Sequence, residues 1–82
     1  MIKIREIQYY SNGKHYQERN IEYENFNNYK HDLMNDKLKI FYISIPRRAC
    51  ITVLGESETS IILSFIHPLL RDKIFHIAEI IQ

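Results

Sequence analysis

One cysteine, two glycines, two prolines and no tryptophan occur in 82 residues. Each scarcity excludes something. Cys50 cannot close an internal disulfide, so a secreted scaffold held by several bridges is ruled out, and a reducing cytoplasm is the expected compartment. Two glycines cannot build a Rossmann fingerprint or a phosphate-binding loop. With only four Gly and Pro together, collagen-like and linker-like chains are excluded as well. Charge of one sign is missing too. Eleven Lys and Arg against ten Asp and Glu leave a net charge of +1, unlike a DNA-coating protein or an acidic nucleic-acid mimic. Apolar runs such as Ile61-Ile62-Leu63 fall far short of the ~20 residues of a membrane span. The start, Met1-Ile2-Lys3-Ile4-Arg5-Glu6, has no apolar core of the kind a signal peptide needs. No membrane partner is expected.

What is present describes an ordinary globular domain. Hydrophobic residues make up 45% and charged residues 26%, enough apolar surface to oppose disorder. The length implies a single domain over residues 1–82, close to the lower limit for independent folding. Fifteen Ile, six Asn, six Lys and six Tyr stand against two Ala. These favoured residues have A/T-rich codons, which points to an A/T-rich genome.

Asn12-Gly13 is the strongest local signal, because it suits a two-residue hairpin turn with positive φ. The register that follows sets Tyr10 opposite His15, Tyr9 opposite Tyr16, Gln8 opposite Gln17, Glu6 opposite Arg19, Ile4 opposite Ile21 and Lys3 opposite Glu22. A hairpin of residues 2–11 and 14–23 is therefore expected, with an apolar base and a tip directed to water. Phe26, Tyr29, Leu33 and Met34 then recur on one narrow stripe, after an Asn cap at 25 or 27, and predict a helix over 26–36. Residues 38–45 are apolar at both parities and read as a strand buried on both sides. Pro46 ends it, and Arg47-Arg48 form a turn. Residues 49–54 and 60–66 read as two further strands, the second with Ile61, Leu63 and Phe65 on one side. After His67-Pro68, the set Leu70, Ile74, Ile77, Ala78 and Ile81 predicts a second amphipathic helix reaching Ile81. Phe75 falls about 120° from that stripe.

The expected fold is α+β, in the order ββ-α-βββ-α, a mainly antiparallel sheet with two helices packed on one face. Two helices cover one sheet face only. Phe41, Ile43, Ile45, Leu54, Ile62 and Ile66 belong to a second apolar set, and such surplus marks an interface. Which parity meets the helices is open at this level.

Catalytic chemistry is hard to find. His15, His31, His67 and His76 have no metal-ligand spacing, and there is no Cys-x-x-Cys pair. No metal or cofactor is expected. Asp72 and His76, four apart, read as a surface contact on the second helix. Cys50 sits among apolar neighbours as a small hydrophobe, and the serines lack a nucleophile-elbow context. Basic and acidic residues interleave, so no phosphate-binding stripe is evident. Small size, coding bias and missing catalytic motifs together resemble, in type only, accessory proteins of phages and mobile elements, a class that includes inhibitors, immunity proteins and antitoxins. No residue role carries over from that likeness. The expected function is a non-enzymatic module that binds a cytoplasmic protein or a second copy of itself. Tyr9, Tyr10, His15, Tyr16, Arg47, Arg48 and Phe75 are its candidate contacts. A nucleic-acid-binding regulator and a small ribonuclease-type toxin are the alternatives. A contiguous positive stripe would favour the first, and a cleft with converging His, Arg and Tyr the second.

Overall fold

A computed structural model describes residues 1–35 and 51–81. The predicted 38–45 strand, Arg47, Arg48 and Cys50 lie outside them. Six elements follow in order: β1 (Ile2–Tyr10), β2 (His15–Tyr23), α1 (Phe26–Met34), β3 (Ile51–Glu56), β4 (Ser60–Ile66) and β5 (Lys73–Ile80). The strands form a five-stranded sheet in the order β2-β1-β5-β4-β3, antiparallel at every pairing. The α+β class holds. The described residues contain one helix, and the second predicted helix is replaced by a strand.

That replacement is the main correction. β5 is the middle strand, paired with β1 on one side and β4 on the other. Its true period is two: Ile74, His76 and Ala78 are fully buried, while Phe75 and Ile77 alternate with them. A strand flanked on both sides with apolar residues at both parities mimics a helical stripe, because Ile77 and Ile81 count as helix-facing when no alternation is visible. His76 deepens the disguise, since a polar residue at an inward position breaks the apolar pattern of that face. Phe75, the misfit of the helical reading, is simply the first apolar residue of the opposite sheet face.

The hairpin register holds from Ile2↔Tyr23 to Gln8↔Gln17, including Glu6↔Arg19 and Lys3↔Glu22. Its tip differs. Tyr9 faces His15, with a bulge after Gln8 that leaves Tyr16 as the extra residue. The turn is a three-residue loop: the Gly13 N–H donates to the Tyr10 carbonyl at 2.8 Å, and the Tyr10 N–H to the Lys14 carbonyl at 2.8 Å. Gly13 alone has positive φ there, at 87°, the pattern of a type I turn closed by a left-handed glycine. Asn12 supports it by accepting the Lys14 N–H at 2.8 Å. A Cβ at Gly13 would meet no atom within 4 Å, so the penalty of a substitution is purely conformational. Gly13→Val is expected to lose about 1–2 kcal/mol in a urea melt; an unchanged midpoint would contradict the turn.

α1 begins where the Asn25 side chain accepts the Asn28 N–H at 2.8 Å, a standard N-cap. It buries Phe26, Tyr29 and Leu33. These join Ile4, Ile61, Leu63, Phe65, Ile74 and Ala78 in one core, all on the inner sheet face. The β3 strand begins at Ile51 and runs through Gly55, so the following turn is 57–59, later than expected.

Candidate functional site

Two features of the sheet stand out, one on each face. The outer face is the odd-numbered set of β1 and β5 with the even-numbered set of β4. Strand pairing sets Ile7, Ile77 and Ile62 side by side, and Tyr9, Phe75 and Ser64 in the next row. Ile62 and Ile66 are exposed to 37% and 50%, with Ile7, Tyr9, Phe75 and Ile77 half-buried. Arg5 and Glu79 border this patch as an ion pair at 2.5 Å. His15 packs edge-on against Tyr9, with ring centroids 5.9 Å apart. Tyr9, His15 and Phe75 of the expected contact set thus meet on one face. Tyr10 and Tyr16 go to the other. Their rings lie 4.9 Å apart, half-buried against the core, with Tyr16 edge-on to His67 at 6.0 Å.

The inner face holds what periodicity concealed. Glu6, Gln8, His76 and Tyr29 are fully buried. The hairpin is therefore core well beyond its base, and His76 makes no surface contact with Asp72, which instead accepts from the Ser11 hydroxyl at 3.2 Å. The buried groups form a directed chain. The Gln17 amide donates to Gln8 Oε1 at 3.1 Å, which turns the Gln8 amide nitrogen to His76 Nδ1 at 3.1 Å. His76 Nε2 lies 3.1 Å from the Tyr29 hydroxyl, which donates to Glu6 Oε2 at 2.6 Å. Arg19 Nε donates to Glu6 Oε1. A neutral His76 carrying its proton on Nε2 fits every step, and the one negative charge, on Glu6, meets the Arg19 guanidinium. Burial pushes the Glu6 carboxyl up, but hydrogen bonds from His76, Arg19 and Tyr29 outweigh it and hold it below the ordinary range. Burial first, then the neighbouring Glu6 carboxylate, pushes the Tyr29 hydroxyl far above its usual value, so it remains a donor. Glutamate, histidine, tyrosine and arginine do converge, as a ribonuclease would require. Yet the Glu6 and His76 side chains have no exposure at all.

An open groove of about 530 Å³ lies between the start of α1 and the β3–β4 turn. Lys30 occupies it, 2.8 Å from Glu56, donating to the Ser57 carbonyl at 3.1 Å and sitting 5.3 Å above the Phe26 ring. Its charge is already matched. Among the described residues, no group of three His, Cys, Asp or Glu side chains could hold a metal ion. None of their helices is long and apolar enough to cross a membrane. No family model, curated protein or solved structure matches the chain.

Proposed function

We propose that this chain is a non-enzymatic protein-binding module whose outer sheet face docks on an apolar surface of a partner protein. The observation that carries this reading is the contiguous row of Ile7, Ile77 and Ile62 beside Tyr9 and Phe75. Aromatic and branched apolar residues on one sheet face, bordered by charge, are the composition of an interface core and its rim. An inhibitor or immunity-type role in a cytoplasm is the form of this function that suits one small domain, since it needs a surface and no chemistry.

Two observations weigh against the alternatives. Arg5, Arg19 and Lys30 are each matched by a carboxylate, Glu79, Glu6 and Glu56, so these three offer no unmatched charge to a phosphate. Glu6, Tyr29 and His76, the acid–base groups that converge, are fully buried.

Ile62→Glu tests the proposal. Ile62 is already partly exposed, so the variant is expected to keep its circular dichroism and melting temperature. Affinity purification from the native host should recover a protein with the wild-type chain and lose it with Ile62→Glu. Nucleic acid recovered without protein would overturn the reading. Sedimentation at micromolar concentration separates a second copy from a foreign partner: a dimer dispersed by Ile62→Glu would make the partner the chain itself. Phe75→Ala should behave alike. Its half-buried ring predicts a stability loss well below the ~3–5 kcal/mol of a core phenylalanine, together with lost binding. A full core-sized drop in a thermal melt would return Phe75 to a purely structural role.

A further inference from the structure

Ile66, Leu69 and Leu70 are exposed to 50%, 83% and 48%, three large apolar side chains within five positions around the β4–β5 loop. Scattered exposed leucines need no explanation, but this loop is built to hold its leucines in place. The buried His67 ring accepts the Leu69 N–H at 3.1 Å and the Leu70 N–H at 3.0 Å through Nδ1. The His67 N–H donates to the Asp72 carbonyl at 2.9 Å, and the Arg71 N–H to the His67 carbonyl at 2.8 Å. The Asp72 carboxylate accepts the Lys73 N–H at 2.8 Å and ties the loop to the β1–β2 turn through Ser11. Arg71 completes the turn at φ 56°, in the left-handed region where any side chain beyond glycine is strained.

A chain that only had to connect two strands would not need strain, a buried histidine cap and two leucines in water together. Strain of this kind collects at binding sites, where the surrounding structure holds it, and a loop already fixed in its bound shape loses little freedom on docking. Exposed Arg71 and Lys73 flank the leucines. We propose that the 67–72 loop is the anchor of the binding surface: it inserts Leu69 and Leu70 into an apolar pocket of the partner protein, whose carboxylate rim meets Arg71 and Lys73. This rests on the protein-binding reading and assigns its main contact.

Site-specific photo-cross-linking tests it. Benzoylphenylalanine is placed at position 69 in one variant and at position 62 in another, and each is irradiated in cells that naturally carry the protein. Adducts to the same protein are expected from both positions. Adding Leu70→Asp and Arg71→Glu should cut the position-69 adduct at least tenfold without lowering the melting temperature. A protein adduct from position 62 with none from position 69 would overturn the anchor and leave the binding surface standing. No protein adduct from either would overturn both. Co-sedimentation with phosphatidylglycerol vesicles, abolished by Leu69→Asp, would replace the protein pocket with an anionic membrane surface and so overturn the anchor.

Discussion

Glu6→Ala is expected to destabilise the fold by about 3–5 kcal/mol, the range for removing one partner of a buried charge pair. The Glu6 side chain has no exposure, and the Arg19 side chain retains 21%. Removing the carboxylate leaves Arg19 without its buried counter-charge and the Tyr29 hydroxyl without its acceptor, so packing loss and lost hydrogen bonds add. A chemical denaturation curve at neutral pH measures the sum. Glu6→Gln keeps the shape and separates the charge. The native pKa of Glu6 lies below its ordinary value near 4.5. Its stabilisation is therefore fully present above that value and disappears as pH falls through the native pKa. The gap in stability between wild type and Glu6→Gln should accordingly narrow as pH drops below about 4. A gap unchanged down to pH 2 would mean that the Glu6 charge does not stabilise the fold. His67 acts in the same direction at milder acidity. Burial lowers its pKa from 6.5, so below that value the unfolded chain takes up a proton more readily than the folded one. Protonation also removes the Nδ1 acceptor that holds the 67–72 loop.

Tyr29→Ala is the second large effect, about 3–5 kcal/mol by analogy with truncated core aromatics. The ring is fully buried, stacked on Phe26 at 5.6 Å and edge-on to Tyr23 at 5.7 Å. It joins α1 to the sheet twice over, by that packing and by the hydroxyl between Glu6 and His76. Tyr29→Phe isolates the hydroxyl and is expected to cost about 1–3 kcal/mol, the range for buried polar groups left without a partner. If Tyr29→Phe were as harmful as Tyr29→Ala, the hydroxyl would carry the whole contribution. If it were neutral, the directed chain from Gln17 to Glu6 would be ornamental. Thermal melts of the two variants with the wild type decide between these outcomes.

How much of this was legible beforehand differs by element. The β1–β2 hairpin was, because its signals are local: a turn dipeptide, and two charge pairs with one Ile pair at consistent spacing across it. The bulge at Tyr16 was not, since Asn-Gly serves a two-residue and a three-residue loop equally well. α1 was legible from its stripe and its Asn cap. The surplus apolar face was legible as composition, through Ile62 and Ile66, without its position. The buried polar chain was not, although one clue existed: Glu6↔Arg19 and Gln8↔Gln17 continue the hairpin face that begins with the apolar pairs Ile2↔Tyr23 and Ile4↔Ile21, which places polar residues at inward positions.

By itself the amino-acid sequence determined the α+β class, the hairpin and its register away from the tip, the first helix and the presence of more apolar strand surface than one helical layer covers. These follow from short-range periodicity and turn chemistry, which act within a few residues. Only the tertiary structure decided that Lys73–Ile80 is a strand, that His76 and Glu6 lie buried under Tyr29, and that Phe75 joins Tyr9 on the outer face. Each of these depends on pairing between the two ends of the chain, Ile4 with Ile80 and Tyr9 with Phe75. Hydrogen bonding to two neighbouring strands outweighs the local pattern that favours a helix at 68–81, because propensity differences are small beside tertiary packing and pairing.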